Sequence, residues 1–457
     1  MGRLKLVDEL KTILAPERVV TNRTVLEQHA RGESFDEAAL PDVVVYPEST
    51  QEVAEILKYA TENRVAVTPV AVNSSLEGHT VPLLGGISLD LTRLDRILEF
   101  RPEDLLVVAQ PGVTYPQLNK YVRRSGLFFP VDPGAHASLG GMIATNASGT
   151  AAVRYGVTGD YVLALEVVLP TGEVIRTGSR ARKSSSGYDL TRLYCGSEGT
   201  LGVITEVTLR LSGLPEAASA ARVPFSDAES ATTFVTNLIQ AGVPVARCEL
   251  VDANSIRVVN AHQGTRFPEE MTIFLEFHGN PPGVAADLRL AEKLARDSGA
   301  LLFESSSDVK ERERLWEARH NMFYAAVAAN PGKRNITSDV AVPISKLPVA
   351  VSKALCAHRD SGLNGYLVGH VGDGNFHIVT FFDGDDELAK VEQLNHQMVT
   401  FALSIGGTST GEHGVGVRKL KYMELEHGGS LELMKRIKRS FDPHTVMNPG
   451  KKIPGVN

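Results

Sequence analysis

Residues 370–377 read HVGDGNFH, and residues 407–416 read GTSTGEHGVG. Imidazoles and carboxylates are the side chains that hold divalent metals and move protons near neutral pH. His370 and His377 flank a Gly-Asp-Gly-Asn turn, and a hairpin there can bring both rings to one side. Glu412, in the second glycine loop, completes a His-His-carboxylate set that leaves coordination positions open for a substrate. The plainer alternative is that Asp373 and Asn375 merely stabilise the turn and the histidines are satisfied polar groups. Neighbours in an extended loop point in opposite directions, so His413 stands apart from the ligand role of Glu412.

Three further stretches are dense in glycine and small residues: AVNSSLEGHTVPLLGG (71–86), PVDPGAHASLGGMIATNASGTAAVRYGVTGD (130–160) and YCGSEGTLGVIT (194–205). Such segments make tight loops that expose N–H groups at close range, which suits a pyrophosphate. Asn146, Ser148 and Thr150 add side-chain donors. Three of these stretches interleaved with strands point to a large phosphate-bearing cofactor. No G-x-G-x-x-G opens a helix after the first strand, and no G-K-[ST] occurs, which excludes a Rossmann site and a P-loop.

The elements that must position these residues are legible from periodicity. Val53, Ile56, Leu57 and Ala60 share one helical face within 52–63. Strands are expected at 65–70, 105–112 and 202–211, the last with Val207, Leu209 and Leu211 on one face. A short helix at 115–126 closes on Gly126, and 162–178 forms a hairpin about Pro170–Gly172. SGLPEAASA (212–220) is the expected domain boundary. Beyond it, strands are expected at 248–252, 271–279, 365–371 and 376–382. Helices are expected from Pro282 to Ser298, from Asp308 to about Ala329, from Lys346 to Ser361, and over 385–407. A short basic helix carrying Lys435, Arg436, Lys438 and Arg439 ends at Pro443, its charges expected to form a solvated face.

At 457 residues the chain is too long for one core, so two or three domains are expected. A net charge of −7 gives no basic surplus and argues against nucleic acid as a partner. Cys195, Cys248 and Cys356 are far apart and read as reduced, buried thiols. The start, MGRLKLVDEL, lacks the apolar stretch of a secretory signal, and Leu6 breaks the myristoylation pattern. No run nears the length of a membrane span. A cytoplasmic protein is expected, with peripheral contact at the inner face of a membrane left open.

PDVVVYPESTQEVAEIL, PGAHASLGGMIATNASGTAAVRYG and GSEGTLGVITEVTLRL together resemble the FAD-binding domain of the vanillyl-alcohol-oxidase/p-cresol-methylhydroxylase superfamily. HVGDGNFH, GEHGVG and MNPGK are similar to its FAD-dependent D-2-hydroxyacid dehydrogenase branch, which includes D-lactate dehydrogenases and the glycolate oxidase D subunit. The resemblance spans about residues 40–452. It implies an α+β fold with a two-part PCMH-type FAD-binding domain (1–213), an α+β substrate or cap domain with a mainly antiparallel sheet (214–405), and a C-terminal segment (406–457) that returns to the FAD domain.

The resemblance also implies roles. FAD would lie over Asn73, Ser74 and Ser75, over Pro133, Gly134, Ser138, Gly140 and Gly141, and over Asn146, Ser148 and Gly149. Glu198, Gly199, Gly202 and Ile204 would lie along the adenine and ribose, and Asn448 near the isoalloxazine. Where relatives carry a glycine-rich first loop, this chain has Ala71-Val72-Asn73-Ser74-Ser75, with Asn73 the residue best able to take positive φ. His79 and His136 read as hydrogen-bonding or solvent-facing residues rather than covalent flavin links. His370, His377 and Glu412 would hold a divalent metal, zinc first, with manganese or iron as alternatives. His413 would be the general base, its ordinary pKa suiting removal of a hydroxyl proton. Arg319, in RLWEARHNMFYA, would bind the substrate carboxylate with its planar fork. Trp316 and Tyr324, a turn or so away, could line the pocket but read rather as core packing, and Lys333 and Arg334 as lesser carboxylate candidates.

The function so implied is oxidation of a small D-2-hydroxy acid, D-lactate by default, with electrons passed to a quinone, a cytochrome or an electron-transfer flavoprotein. A homodimer is compatible with this. The alternatives are an FAD-binding subunit of a glycolate oxidase complex and, in a different class, a flavin-free His-His-Glu metalloenzyme. The ether-lipid synthase branch is disfavoured, because there is no run of consecutive histidines.

Overall fold

The structure is a computed structural model that describes residues 3–33 and 38–456; Met1 and Gly2, which begin the N-terminal stretch, lie outside the described residues. The chain divides into two compact units. One comprises Met1–Ser148, Val157–Leu214 and Glu412–Asn457, and the other Gly149–Gly156 and Pro215–Gly411.

The first unit carries two main sheets. In one, strand Val43–Val45 runs antiparallel to Val19–Val20 and parallel to Ile87–Asp90, which pairs in parallel with Val67–Val70. Helix Thr50–Asn63 packs on this sheet. Ser49 caps it by accepting the Glu52 N–H, and the expected apolar stripe of Val53, Ile56, Leu57 and Ala60 is buried in the core beside Val43, Val45, Ile87 and Leu89. The second sheet is antiparallel and runs in the order Ile97–Arg101, Leu106–Ala109, Val203–Arg210, Val162–Val168, Val174–Gly178.

The C-terminal segment returns to this unit. Val67 donates to the Val446 carbonyl and Asn448 to the Val67 carbonyl, so Met447 runs beside the strand and its side chain enters the core. Lys438 lies on the basic helix Ser430–Phe441, yet it is buried, contrary to the expected solvated face. Its ammonium donates to the carbonyls of Thr200 (2.7 Å) and Met447 (2.9 Å) and to Asp442, which itself accepts the N–H groups of Val446 and Met447. Composition hid this because the helix is amphipathic and one of its four cations faces inward.

The second unit is built on an antiparallel sheet in the order Glu304–Ser306, Ala217–Phe225, Met271–Gly279, Val245–Val251, Asn364–Gly369, Asn375–Phe382, Arg334–Thr337, with Val340–Ala341 also paired to Asn375–Phe382. Ala217–Phe225 begins inside the stretch expected to be a boundary. Its alanines and serine show no alternation, but ladders on both sides, to Met271–Gly279 and Glu304–Ser306, hold it extended. The single helix expected from Asp308 is two, Val309–His320 and Met322–Ala329, broken at Asn321 where φ is −82° and ψ is 1°. The segment Gly149–Gly156 is anchored here by Arg154 on the Pro244 carbonyl and by the Tyr155 hydroxyl on His278. All three cysteines are free; Cys248 is buried as expected, Cys195 half-buried and Cys356 exposed, so burial does not extend to all of them. No described helix is long and apolar enough to cross a membrane.

Removing the Lys438 ammonium leaves Asp442 charged, buried and short of its cation. Lys438→Met is expected to destabilise the protein by about 3–5 kcal/mol, read as a fall in the denaturant midpoint. A loss below about 1 kcal/mol would show the pair to be dispensable.

Candidate active site

In the second unit, strand Asn364–Gly369 ends one residue before His370, a single 3-10 turn spans Val371–Asp373, and strand Asn375–Phe382 carries His377 as its third residue. The first strand therefore ends two residues earlier, and the second begins one residue earlier, than the sequence suggests. Gly374 closes it at φ +76°, and a Cβ there would sit 2.1 Å from the Val342 carbonyl oxygen, so only glycine fits. The two imidazoles come together, with ring centroids 5.5 Å apart and planes at 77°. His370 Nδ1 meets Glu249 Oε1 at 2.7 Å, and His377 Nδ1 meets the Ser338 carbonyl at 3.0 Å. Each partner accepts, so Nδ1 of each ring carries a proton and Nε2 is the atom that either ring, when neutral, offers a metal. This is the form in which histidine binds a metal.

Asp339, a buried residue that the sequence did not single out, lies 3.6 Å from His377 Nδ1 and accepts from Asn375 Nδ2 (2.7 Å), Thr410 Oγ1 (2.7 Å) and the Gly411 N–H (2.9 Å). It thus ties the hairpin to the loop that leads into Glu412, the next residue along the chain. Glu249 was likewise unforeseen. Its second oxygen accepts from Arg319 Nη2 (2.6 Å) and Nε (2.9 Å), so Arg319 is held on a carboxylate of the protein with its Nη1 end remaining. Burial raises the Glu249 pKa, but His370 and Arg319 outweigh it and keep the group ionised. Trp316 is core, beneath Arg247, as expected, but Tyr324 is exposed, contrary to the packing expected of it, because it lies on the outward side of helix Met322–Ala329; Lys333 pairs with Asp383 and Arg334 with Asp385.

In the first unit the glycine-rich loops converge on another buried carboxylate. Glu198 accepts the N–H groups of Val415 and Gly416 at 2.8 Å each and lies 3.2 Å from Lys452 Nζ and 3.3 Å from His79 Nε2. Burial works to raise its pKa, yet Lys452, His79 and the backbone donors together hold it far below the usual carboxylate range. Gly416 has φ +50°, and a Cβ on it would sit 2.1 Å from the Glu77 carbonyl oxygen. That close approach is why position 416 takes glycine.

Glu412 and His413 do face different partners. Glu412 Oε2 accepts from Ser148 Oγ at 2.8 Å, so that hydroxyl proton is committed to Glu412. His413 Nδ1 lies 3.4 Å from Glu77 Oε1, which is also 3.5 Å from Lys419 Nζ. Burial raises the Glu77 pKa, but Lys419, His413 and Arg418 pull it below its ordinary value. Glu77 sits inside the first glycine-rich stretch, and its only sequence signal was an acidic residue among small ones.

Asn73, Asn146, Glu198 and Asn448, all expected at the cofactor, have φ of 62°, 53°, 55° and 43°. Left-handed backbone in non-glycine residues costs energy and clusters where loops are shaped for a ligand. Asn73 donates to the Arg31 carbonyl and accepts from Thr80; Asn146 accepts the Gly159 N–H; Asn448 donates to the carbonyls of His79 and Glu198. Ser138 caps helix Leu139–Thr145, where Gly140 packs against Pro111, and Gly199 packs on Pro69. The Pro133 carbonyl accepts from Tyr115, Gly134 and His136 are exposed, and Gly202 and Ile204 flank the start of strand Val203–Arg210.

Several buried polar atoms of this unit have no hydrogen-bond partner among the described residues: Ser75 Oγ, His79 Nδ1, Asn448 Oδ1 and Lys451 Nζ. Burial draws the Lys451 pKa down to about 7 against the pull of Glu198. Buried polar groups are normally satisfied, so a set left open marks the seat of a polar ligand. The phosphates, ribityl hydroxyls and ring carbonyls of FAD offer the complementary donors and acceptors, and the residues fit the cofactor.

Comparisons with known proteins agree with this arrangement. Residues 41–178 match the FAD binding domain family and residues 214–452 the C-terminal domain of FAD linked oxidases. The chain is 41% identical over 453 residues to the probable mitochondrial D-lactate dehydrogenase of Danio rerio, covering 98% of this chain and 91% of the relative. It is 41% identical over 455 residues to the mitochondrial D-lactate dehydrogenase [cytochrome] of Arabidopsis thaliana, covering 98% and 80%. Among solved structures, p-cresol methylhydroxylase with substrate bound superposes with a TM-score of 0.81 at 16% identity, covering 99% of this chain and 97% of that one, a likeness of fold. The α+β PCMH-type architecture expected from the sequence is the one observed. With both family domains matched and close relatives along nearly its whole length, the chain belongs to the FAD-linked oxidases, as a flavin-dependent oxidoreductase of the D-2-hydroxyacid dehydrogenase branch.

Proposed function

We propose that the protein oxidises D-lactate, or a closely similar D-2-hydroxy acid, to the 2-oxo acid with FAD and a divalent metal. The observation that carries the metal reading is the imidazole pair, His370 and His377, each with Nδ1 engaged by an acceptor and Nε2 as its donor atom. The two relatives named as D-lactate dehydrogenases support the substrate. Glu412 is proposed as the third ligand; Asp339 steadies the chain immediately before it, and Ser148 donates to its other side. When bound, FAD supplies the hydride acceptor for the α-hydrogen. A divalent ion supplies Lewis acidity that lowers the pKa of the 2-hydroxyl.

The chain's own residues do the rest. His413 takes the hydroxyl proton: Glu77, kept ionised, faces Nδ1, which leaves Nε2 as the basic nitrogen. Arg319 meets the substrate carboxylate with its Nη1 end while Glu249 holds the other edge of the guanidinium still. Burial of the Glu77 and Glu249 carboxylates strengthens the charge–charge contact each makes. The word cytochrome in the name of the Arabidopsis relative favours a cytochrome as acceptor over a quinone or an electron-transfer flavoprotein. Zinc comes first, with manganese and iron close behind, since the ligand set suits all three.

Two outcomes are expected. The purified protein shows an oxidised flavin spectrum that bleaches anaerobically with D-lactate and not L-lactate, and the bleaching stops after chelation and returns with added metal. A flavin that stays oxidised with D-lactate but bleaches with glycolate would move the substrate to the glycolate oxidase reading, and a colourless protein would favour the flavin-free metalloenzyme. His413→Asn is expected to lower kcat by about 10²–10⁴-fold with flavin and metal content unchanged. Retention of most of the activity would remove His413 from the base role.

A further inference from the structure

Glu249 stands at a junction that neither the family motifs nor the ligand set explains. It lies on strand Val245–Val251, whose register with Asn364–Gly369 pairs Leu250 with Gly369, so the next residue on each strand brings Glu249 beside His370. Its side chain is completely buried. One oxygen meets His370 Nδ1 at 2.7 Å, and the other meets Arg319 Nη2 at 2.6 Å and Nε at 2.9 Å. A buried carboxylate is costly unless fully partnered, and here both oxygens are. The two partners come from distant parts of the sheet and helix layer: Arg319 from helix Val309–His320, and His370 from the hairpin.

We propose that Glu249 is a positioning residue that holds His370 in its metal-binding tautomer and holds Arg319 toward the substrate carboxylate, so that one side chain sets both halves of the substrate site. This rests on the metal-dependent reading above. A carboxylate on the far nitrogen of a metal-bound histidine fixes ring orientation and raises ligand basicity; losing such a partner typically weakens metal binding by about 10–100-fold. The same carboxylate orders a long, flexible arginine, whose fork then needs little further ordering when substrate arrives. A purely architectural ion pair would staple the helix to the sheet and leave metal affinity alone.

The test measures Zn²⁺ and Mn²⁺ affinity by chelator competition on the full-length, FAD-loaded protein. Wild type, Glu249→Gln, Glu249→Asp and His370→Ala are compared, with flavin content and melting temperature recorded alongside. Glu249→Gln is expected to bind metal about 10–100-fold more weakly and to show a raised KM for D-lactate, while flavin content is unchanged. Glu249→Asp, which keeps the charge but loses reach, falls between it and wild type. If wild type binds metal and His370→Ala loses it, yet Glu249→Gln binds as tightly as wild type, Glu249 is a structural staple and the proposal is overturned. If wild type binds no metal, the metal reading itself fails and takes this proposal with it. Should Glu249→Gln not fold, ¹⁵N-histidine NMR of metal-free wild type decides. The resonance absent from His370→Ala should report a proton on Nδ1, and a proton on Nε2 instead overturns the assignment.

Discussion

A carboxylate removed from water must be met by donors or positive charge, and the interior of this protein is organised by that demand. Glu77, Glu198, Glu249 and Asp339 are all buried, and each lies beside a histidine: His413, His79, His370 and His377 in turn. In the first unit Glu198 draws in the backbone of Val415 and Gly416, the side chain of Lys452 and, through its carbonyl, Asn448. Segments 412–416 and 448–452 are thereby gathered onto one residue. In the second unit Asp339 performs the same service for the hairpin and the loop that ends at Gly411.

This arrangement explains why glycine is so abundant where chemistry is expected. Backbone N–H groups reach a buried carboxylate only if nothing projects between them, and a Cβ on Gly414 would sit 2.8 Å from Glu198 Oε1. Gly374 obeys the same rule from the other side, letting the His370–His377 turn press against the Val342 carbonyl. The strained non-glycine residues of the first unit, Asn73, Asn146, Glu198 and Asn448, each have side-chain or main-chain hydrogen bonds that hold the left-handed backbone in position. Rigid loops with open polar atoms suit a cofactor that stays bound through many turnovers.

The charge balance also separates roles that composition cannot. Lys438 and Arg436 are neighbours on one helix, but only Lys438 turns inward to Asp442 and the carbonyls of Thr200 and Met447. Arg319 sits in the charge-rich run KERERLWEAR, and it alone of the arginines there is held by Glu249. Cations and anions that look interchangeable in sequence are sorted by which side of an element they occupy.

Motif and periodicity were enough to reveal much of this protein. The His370–His377 hairpin, the loop carrying Glu412 and His413, the three glycine-rich stretches, the helix over 52–63 and the strand over 203–210 follow from local spacing, because turn chemistry and the 3.6 and 2.0 periods are local properties. The break at Asn321 and the strand from Ala217 were hidden, since a chain of small residues takes its conformation from the ladders on either side. Above all, Glu77, Glu249 and Asp339 gave no local signal: a lone acidic residue in ELVD or SDVAV is indistinguishable from a surface charge. Only the fold, by closing water out and bringing a histidine from 38 to 336 residues away in sequence, decided that these carboxylates orient the imidazoles on which the proposed chemistry rests.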